Sequence, residues 1–401
     1  MGLTATETAA IEAARAAPML AQVEQWVAVN SGTRNLAGLA TMAGLLADAF
    51  AVLPGDLALV DPAPVEAVDG AGQVQPIAHG RHLHLDVRPD APVRMLFTGH
   101  MDTVFAADHA FQTATWLPDG TLNGPGAADM KGGIAVMLAA LQAIEASPAA
   151  ADFGYEVILN SDEETGSLAS APLIAKAAQG KVAALTYEPA LPDGTLAGAR
   201  GGTGNFSITV HGRSAHAGRN PEDGRNAIVA AADLALRLAA ARGDGLAVNP
   251  ARIEGGGPNN VVPDLAILRV NFRPASAQAI ARARAALETA VAEVRAIHDV
   301  HIHVHGGFNR PPKPLDPAAE RLFGLVKQAG ADLDIGIAWK ATGGVCDGNN
   351  IAACGVPVVD TMGVRGGAIH SADEYLIPAS LLERAALSAL TILRIAERGR
   401  L

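Results

Sequence analysis

The chain has 401 residues, of which 49% are apolar and 18% charged, a balance that buries enough surface to offset the entropy of ordering and excludes a disordered or staple-dependent chain. At about 150 residues per domain, two or three domains are expected. Thirty Lys and Arg against 41 Asp and Glu leave a net charge of −11, which repels phosphate backbones and anionic bilayers, so neither nucleic acid nor a membrane is expected as a partner.

No run reaches the roughly 18 uninterrupted apolar residues of a membrane span. The first twenty residues lack the basic start and apolar run of a secretory leader, so a cytoplasmic location is expected. Residues 5–29 and 36–51 read as Ala/Leu-rich amphipathic helices, and 55–90 as short strands between Pro/Gly turns. Strands then alternate with helices: strand 93–97, helix 132–144, strand 155–159, helix 167–178 and strand 182–186. That alternation predicts an α/β fold with a mostly parallel sheet covered on both faces.

Residues 201–311 change character. They read as strand 203–211, helix 223–241, strands near 250–256 and 264–273, helix 277–297 and strand 300–305, the βαββαβ order of a ferredoxin-like α+β sandwich. The α/β signal resumes with helix 316–329, strand 356–360 and helix 378–398. One domain is thus expected inside another: 1–201 and 312–401 form the outer domain, and 202–311 is the insert. Charge separates them as well, since 201–311 holds 12 Arg, no Lys and 9 acids, against 18 bases and 32 acids elsewhere.

The residues with chemistry to offer follow the ends of predicted strands, where open α/β sheets place ligands. After strand 93–97 comes Thr98-Gly-His-Met-Asp-Thr103. An imidazole ligand usually donates its second N–H to an acid, which suits His100 and Asp102, although an isolated H-x-D pair is also a common accident. Asn123-Gly-Pro-Gly-Ala-Ala-Asp-Met-Lys-Gly-Gly133 lacks phosphate-loop spacing and presents Asp129 at the mouth of a helix; a glycine-rich turn with a capping Asp would look the same. Asn160-Ser-Asp-Glu-Glu-Thr-Gly-Ser167 puts three acids together. Glu163 and Glu164 suit a division of labour between proton acceptor and metal ligand, or a solvated helix start. Tyr187-Glu188-Pro189 and Ile369-His370-Ser-Ala-Asp-Glu-Tyr375 complete the set. Two His with several carboxylates and no thiolate suit a hydrolytic centre of two divalent ions, zinc first, with cobalt or manganese as alternatives.

In order, the motifs H-x-D, G-x-G-x-x-D-x-K-G-G, D-E-E-x-G-S, E-P, G-R-x-A-H-A-G, N-x-V-P and H-x-x-x-E-Y span about 93–375. This series resembles the dinuclear zinc family that includes the folate-cleaving glutamate carboxypeptidase, acetylornithine deacetylase and succinyl-diaminopimelate desuccinylase. The resemblance implies that Asp129 bridges two metals, with His100 and Glu188 completing one site and Glu164 and His370 the other. It implies that Glu163 is the general base, that Asp102 orients His100, and that the Asp129–Met130 peptide is cis. The insert would serve as lid and homodimerisation domain, sending His216 into the partner's site to stabilise an oxyanion. Asn260, Arg273 and Arg310 would hold the substrate and its free carboxylate. Two departures stand out. No lysine occurs from 182 to 312, although the folate-cleaving enzyme uses one there to read an acidic side chain; Arg200 lies nearby. Cys346 stands where relatives carry Ser or Thr before the Asp, and reads as a small packing residue, not a nucleophile.

The implied reaction is metal-dependent hydrolysis of an N-acyl amino acid or short peptide with a free carboxylate, carboxypeptidase-like, with a hydroxide bridging the metals and Glu163 handling its proton. The rivals are an acetylornithine- or succinyl-diaminopimelate-type deacylase, a carbamoyl-amino-acid amidohydrolase and, more distantly, a silent binding protein of the same fold. Three lesser expectations complete the reading. Cys346 and Cys354 are buried small residues. His301, His303 and His305 share one exposed sheet face. His79, His82 and His84 are likewise exposed.

Overall fold

Strand Phe153–Asn160 is buried at every residue, which requires a place inside a sheet with both faces covered. In the computed structural model, which describes residues 2–401, it lies third in a six-stranded sheet ordered Asp56–Val60, His82–Val87, Phe153–Asn160, Val93–His100, Ala183–Thr186 and Val358–Val359. The last four strands run parallel, and the first two join antiparallel. The sheet is therefore mainly parallel, as the alternating pattern predicts.

Side chains alternate along Val93–His100. Met95 and Phe97 enter the large core shared with helices Ala5–Ala16, Gly132–Glu145 and Ala379–Arg398, while Leu96 turns to the other face with Ile158, Ala184 and helices Ala171–Ala178 and Asp347–Ala353. The segment Ala127–Glu145 is long and apolar enough to cross a membrane, but 94% of it is buried within the protein, which marks a central core helix. Gly133 brings this helix against the sheet: a Cβ there would stand 2.0 Å from the Tyr187 carbonyl oxygen.

Thr203–His211, Leu246–Gly255, Leu265–Pro274 and His301–Arg310 form a separate, wholly antiparallel sheet. Helices Ala227–Ala240 and Ala277–His298 cover one face around Ile208, Leu234, Leu268, Phe272 and Val294. The chain enters and leaves this unit side by side, because Arg200 and Lys313 exchange backbone hydrogen bonds of 2.9 and 3.0 Å. On the sheet's open face, Arg269 Nη2 donates to the Val68 carbonyl at 2.9 Å and His305 Nε2 lies 3.0 Å from the Glu66 carbonyl. Both carbonyls belong to the hairpin Val65–Val68/Val74–Ile77, which arises from the other part of the chain.

Several expectations need correction. The 5–29 helix is two helices, Ala5–Ala16 and Met19–Val27, because Pro18 holds Ala17 extended. Helix 167–178 begins only at Ala171, after a 3-10 turn at Glu163–Thr165. Helix 223–241 starts at Ala227, where Asn226 caps the amides of Ile228 and Val229. His82 is buried, with Nδ1 accepting from Ser161 N at 3.3 Å, and His84 Nε2 lies 2.7 Å from Glu156 Oε2. Their strand lies inside the sheet, so its faces are covered. His301 and His303 are exposed on one face, while His305 is half-buried by the hairpin. Cys346 is buried, but Cys354 is exposed at the end of its short helix. The two-residue strands Thr115–Trp116, Leu122–Asn123, Gly366–Gly367 and Tyr375–Leu376 form a small sheet too short for periodicity to announce.

Replacing Gly133 with Ala forces either the helix or the Tyr187 backbone to move. Overpacking of this kind costs about 1–3 kcal/mol or more, and a fall in the thermal unfolding midpoint would register it.

Candidate metal centre

Val93–His100 lies between Phe153–Asn160 and Ala183–Thr186, all three parallel, so their C-terminal ends open at one edge. His100 closes the first strand. Glu163 and Glu164 occupy the 3-10 turn after the second, and Glu188 follows the third. Asp129 stands in the tight turn before helix Gly132–Glu145, where its own φ of −116° is non-helical and its peptide to Met130 is cis, as the resemblance implied. His370 arrives from the C-terminal segment between the short strands Gly366–Gly367 and Tyr375–Leu376.

The Asp129 carboxylate faces two ways. Its Oδ1 lies 3.1 Å from His100 Nε2, and its Oδ2 lies 3.3 Å from His370 Nε2. Each imidazole also faces a glutamate: His100 Nε2 is 3.8 Å from Glu188 Oε2, and His370 Nε2 is 3.2 Å from Glu164 Oε2. Two histidine–glutamate pairs thus share one aspartate. The ligand atoms of His100, Asp129 and Glu164 lie within 4.8 Å of one another, as do those of His100, Glu163 and Glu188.

The electrostatics of the cluster suit a cation. Burial pushes Glu163 and Glu164 above the usual carboxylate range and Glu188 up to about 7. Burial opposes the His100 imidazolium, but Asp102, Asp129 and Glu188 outweigh it and hold its pKa well above the ordinary value. Hydrogen bonds to Asp129 and Glu164 raise His370 to about 11. Glu188 Oε1 is buried with no hydrogen-bond partner. An orphaned carboxylate oxygen in a nitrogen-and-oxygen donor set fits divalent metal.

Surrounding residues aim this set. His100 Nδ1 lies 3.0 Å from the Asp102 carbonyl and 3.4 Å from Asp102 Oδ1. Asp102 also accepts the backbone amides of Glu163 and Glu164, both at 3.2 Å, and the Thr33 hydroxyl at 2.7 Å. One buried carboxylate thereby sets the position of both neighbouring glutamates. Glu374 does the same for Asp129, accepting the amides of Gly126, Ala128 and Asp129 at 3.1, 3.0 and 3.0 Å. Burial first, then Asp129, raises its pKa to about 7. The sequence carried a signal for Glu374, the final E-Y motif, but no role for it. Thr33 had no signal, since its partner is 69 residues away.

Arg310, expected to hold a substrate carboxylate, is buried and engaged within the chain. Its Nη2 lies 2.8 Å from Glu163 Oε1, donates to Ser167 Oγ at 2.7 Å and to the Glu163 carbonyl at 3.0 Å, and is 3.5 Å from Asp347 Oδ1. The strand bearing it runs to Arg310 instead of stopping near 305, and this extension delivers the guanidinium. His216, Asn260 and Arg273 are not brought to the cluster. His216 bridges to Val261, and Ala217 N donates to the Asn260 carbonyl at 3.0 Å. Both His216 and Asn260 are exposed. Arg273 is exposed too, with Nε on Asn271 Oδ1 at 2.8 Å.

A model of peptidase family M20/M25/M40 matches residues 96–394. The chain belongs to that family. Carboxypeptidase G2 of Pseudomonas sp. (strain RS-16) is 29% identical over 298 residues, covering 72% of this chain and 71% of the relative. Succinyl-diaminopimelate desuccinylase of Delftia acidovorans is 28% identical over 313 residues, covering 73% and 78%. Two solved structures share the fold. Aminopeptidase PepT from Bacillus cereus has a TM-score of 0.67 at 23% identity, covering 94% of this chain and 98% of its own. An M20 metallo-carboxypeptidase from Sulfolobus solfataricus has a TM-score of 0.71 at 14% identity, covering 95% and 99%. The protein is a hydrolytic enzyme of a metal-dependent family, and its buried His/Asp/Glu cluster could bind that metal.

Glu374→Ala would leave three backbone amides without their acceptor while keeping every ligand side chain. Loss of such outer support typically costs about 10–100-fold in metal affinity. Calorimetric titration of zinc or cobalt into the metal-free variant should show that loss, with circular dichroism confirming an intact fold.

Proposed function

We propose that this chain hydrolyses the amide bond of an N-acyl amino acid or short peptide bearing a free carboxylate, carboxypeptidase-like, with two divalent cations, zinc foremost. The observation that carries this reading is the Asp129 carboxylate shared between two histidine–glutamate pairs. His100 and Glu188 would hold one cation, His370 and Glu164 the other, with Asp129 between them. Such cations supply an activated water and a polarised carbonyl.

Glu163 takes the proton of the attacking water and passes it to the leaving amine. Three features support that role. Its Oε1 lies 2.8 Å from Arg310 Nη2, which fixes the side chain. Its backbone amide is tied to Asp102. Burial raises its proton affinity, which suits a carboxylate that must hold a proton between two steps.

His216 and Asn260 sit together on an exposed loop pair away from their own chain's cluster, a placement suited to acting on a second copy across a homodimer. In that arrangement His216 stabilises the oxyanion, while Asn260 and Arg273 bind the substrate, Arg273 through a planar fork matched to a carboxylate. A relative named as a carboxypeptidase and others named as desuccinylases support cleavage next to a carboxylate. The desuccinylases also favour a second reading, removal of a carboxylate-bearing acyl group from an amine.

Glu163→Gln should keep both metals by elemental analysis yet lose about 10²–10⁴-fold in turnover; near-normal turnover removes Glu163 from the proton path. His216→Ala should lower kcat with metal content unchanged. Mixing it with His100→Ala should restore part of the activity if the histidine acts across subunits, and restores none if it acts within its own chain.

A further inference from the structure

The cluster opens into a cavity of about 270 Å³. One wall is Asp129, Glu163, Glu188 and His370. The other is mainly apolar, with Pro189, Leu191, Leu196, Ala197, Val345 and Ile369, and the lining also includes the hydroxyls of Thr195, Thr342 and Thr361. Leu196 and Ala197 belong to strand Leu196–Arg200, paired with Trp339–Thr342, so this wall rests on a backbone ladder. Leu191 and Ile369 are 39% and 41% exposed, large apolar side chains that the chain leaves partly uncovered beside the site.

The cations at this cavity are poorly placed for a carboxylate. Arg200 reaches the lining, but Nε and Nη2 donate to Asp360 at 2.7 and 3.0 Å and Nη1 to the Gly344 carbonyl at 3.2 Å. Only 8% of its side chain is exposed. Lys313 Nζ sits on the same Asp360 at 2.6 Å. Lys340 also lines the cavity, but it is exposed, and an ion pair formed in solvent adds little. A buried charge without a dedicated partner is disfavoured, whereas apolar surface seated on Leu191, Leu196 and Ile369 leaves water.

We infer that this cavity is a specificity pocket for an uncharged, apolar substituent of the scissile amide, aliphatic or aromatic, and selects against an acidic one. The inference rests on the hydrolase reading above and names its substrate class. The selection belongs to the pocket's own residues, among them Leu191, an apolar lining side chain that is partly exposed.

The test uses full-length, zinc-loaded protein and a matrix of N-acyl amino acids. Acetyl, hexanoyl, benzoyl and succinyl groups are crossed with Gly, Leu, Phe and Glu, and kcat/KM is read from release of the free amino acid. Along one of the two axes the apolar members should exceed the acidic one at least tenfold, within the range of about 10–200-fold that apolar pockets achieve. Leu191→Lys, at a partly exposed position, should shrink or invert that ratio on the same axis. A preference for the acidic member on both axes, or a Leu191→Lys variant with both axes unchanged, overturns the assignment. Calorimetric titration of the same compounds into zinc-loaded Glu163→Gln measures the preference without turnover. If nothing is hydrolysed but apolar members bind more tightly, the hydrolase reading fails and the pocket stands. If acidic members bind as tightly or more tightly, the pocket assignment fails.

Discussion

Asp129 presents one carboxylate oxygen to each of two imidazoles, and much of the structure serves to keep it there. Around it stand Glu163, Glu164 and Glu188, all pushed by burial toward the neutral form, with His100 and His370 pulled toward the charged one. Carboxylates crowded away from water repel one another and lose hydration. Divalent cations relieve both penalties, so the cluster is most readily understood as a place prepared for them.

That preparation depends on backbone as much as on side chains. Asp102 holds the amides of Glu163 and Glu164, and Glu374 holds those of Gly126, Ala128 and Asp129. Each is a buried carboxylate that satisfies otherwise unpaired N–H groups while positioning another acid. Glu374 also lies four residues beyond His370, so one segment both contributes an imidazole and secures the aspartate it faces. Arg310 adds a third tie, from the antiparallel sheet to Glu163. A change in how the two sheets sit would be felt at the expected proton acceptor through this contact.

The cavity beside the cluster separates chemistry from selection. Its acidic wall is built of motif residues, whereas its apolar wall draws Leu191, Leu196, Ala197 and Val345 from outside the motifs and adds Pro189 and Ile369, which adjoin Glu188 and His370. At its edge, Arg200 and Lys313 both pair with the buried Asp360. Rate and specificity can therefore vary independently in this architecture.

The sequence by itself determined the layered α/β plan and the identity of the residues at the sheet edge. Strands such as 93–97 are short, mostly apolar runs, and His100, Glu163, Glu164 and Glu188 follow strand ends at short range, where local pattern and chemistry coincide. Only the tertiary structure decided what those residues meet. Arg310 is 147 residues from Glu163 and Glu374 is 245 from Asp129, separations at which no periodicity carries information. The burial of His82 likewise depends on which strands flank its own. Whether a charged side chain faces solvent, a ligand or another charge is settled by packing between distant segments, and that is why the contact of Arg310 with Glu163 has no trace in the local sequence.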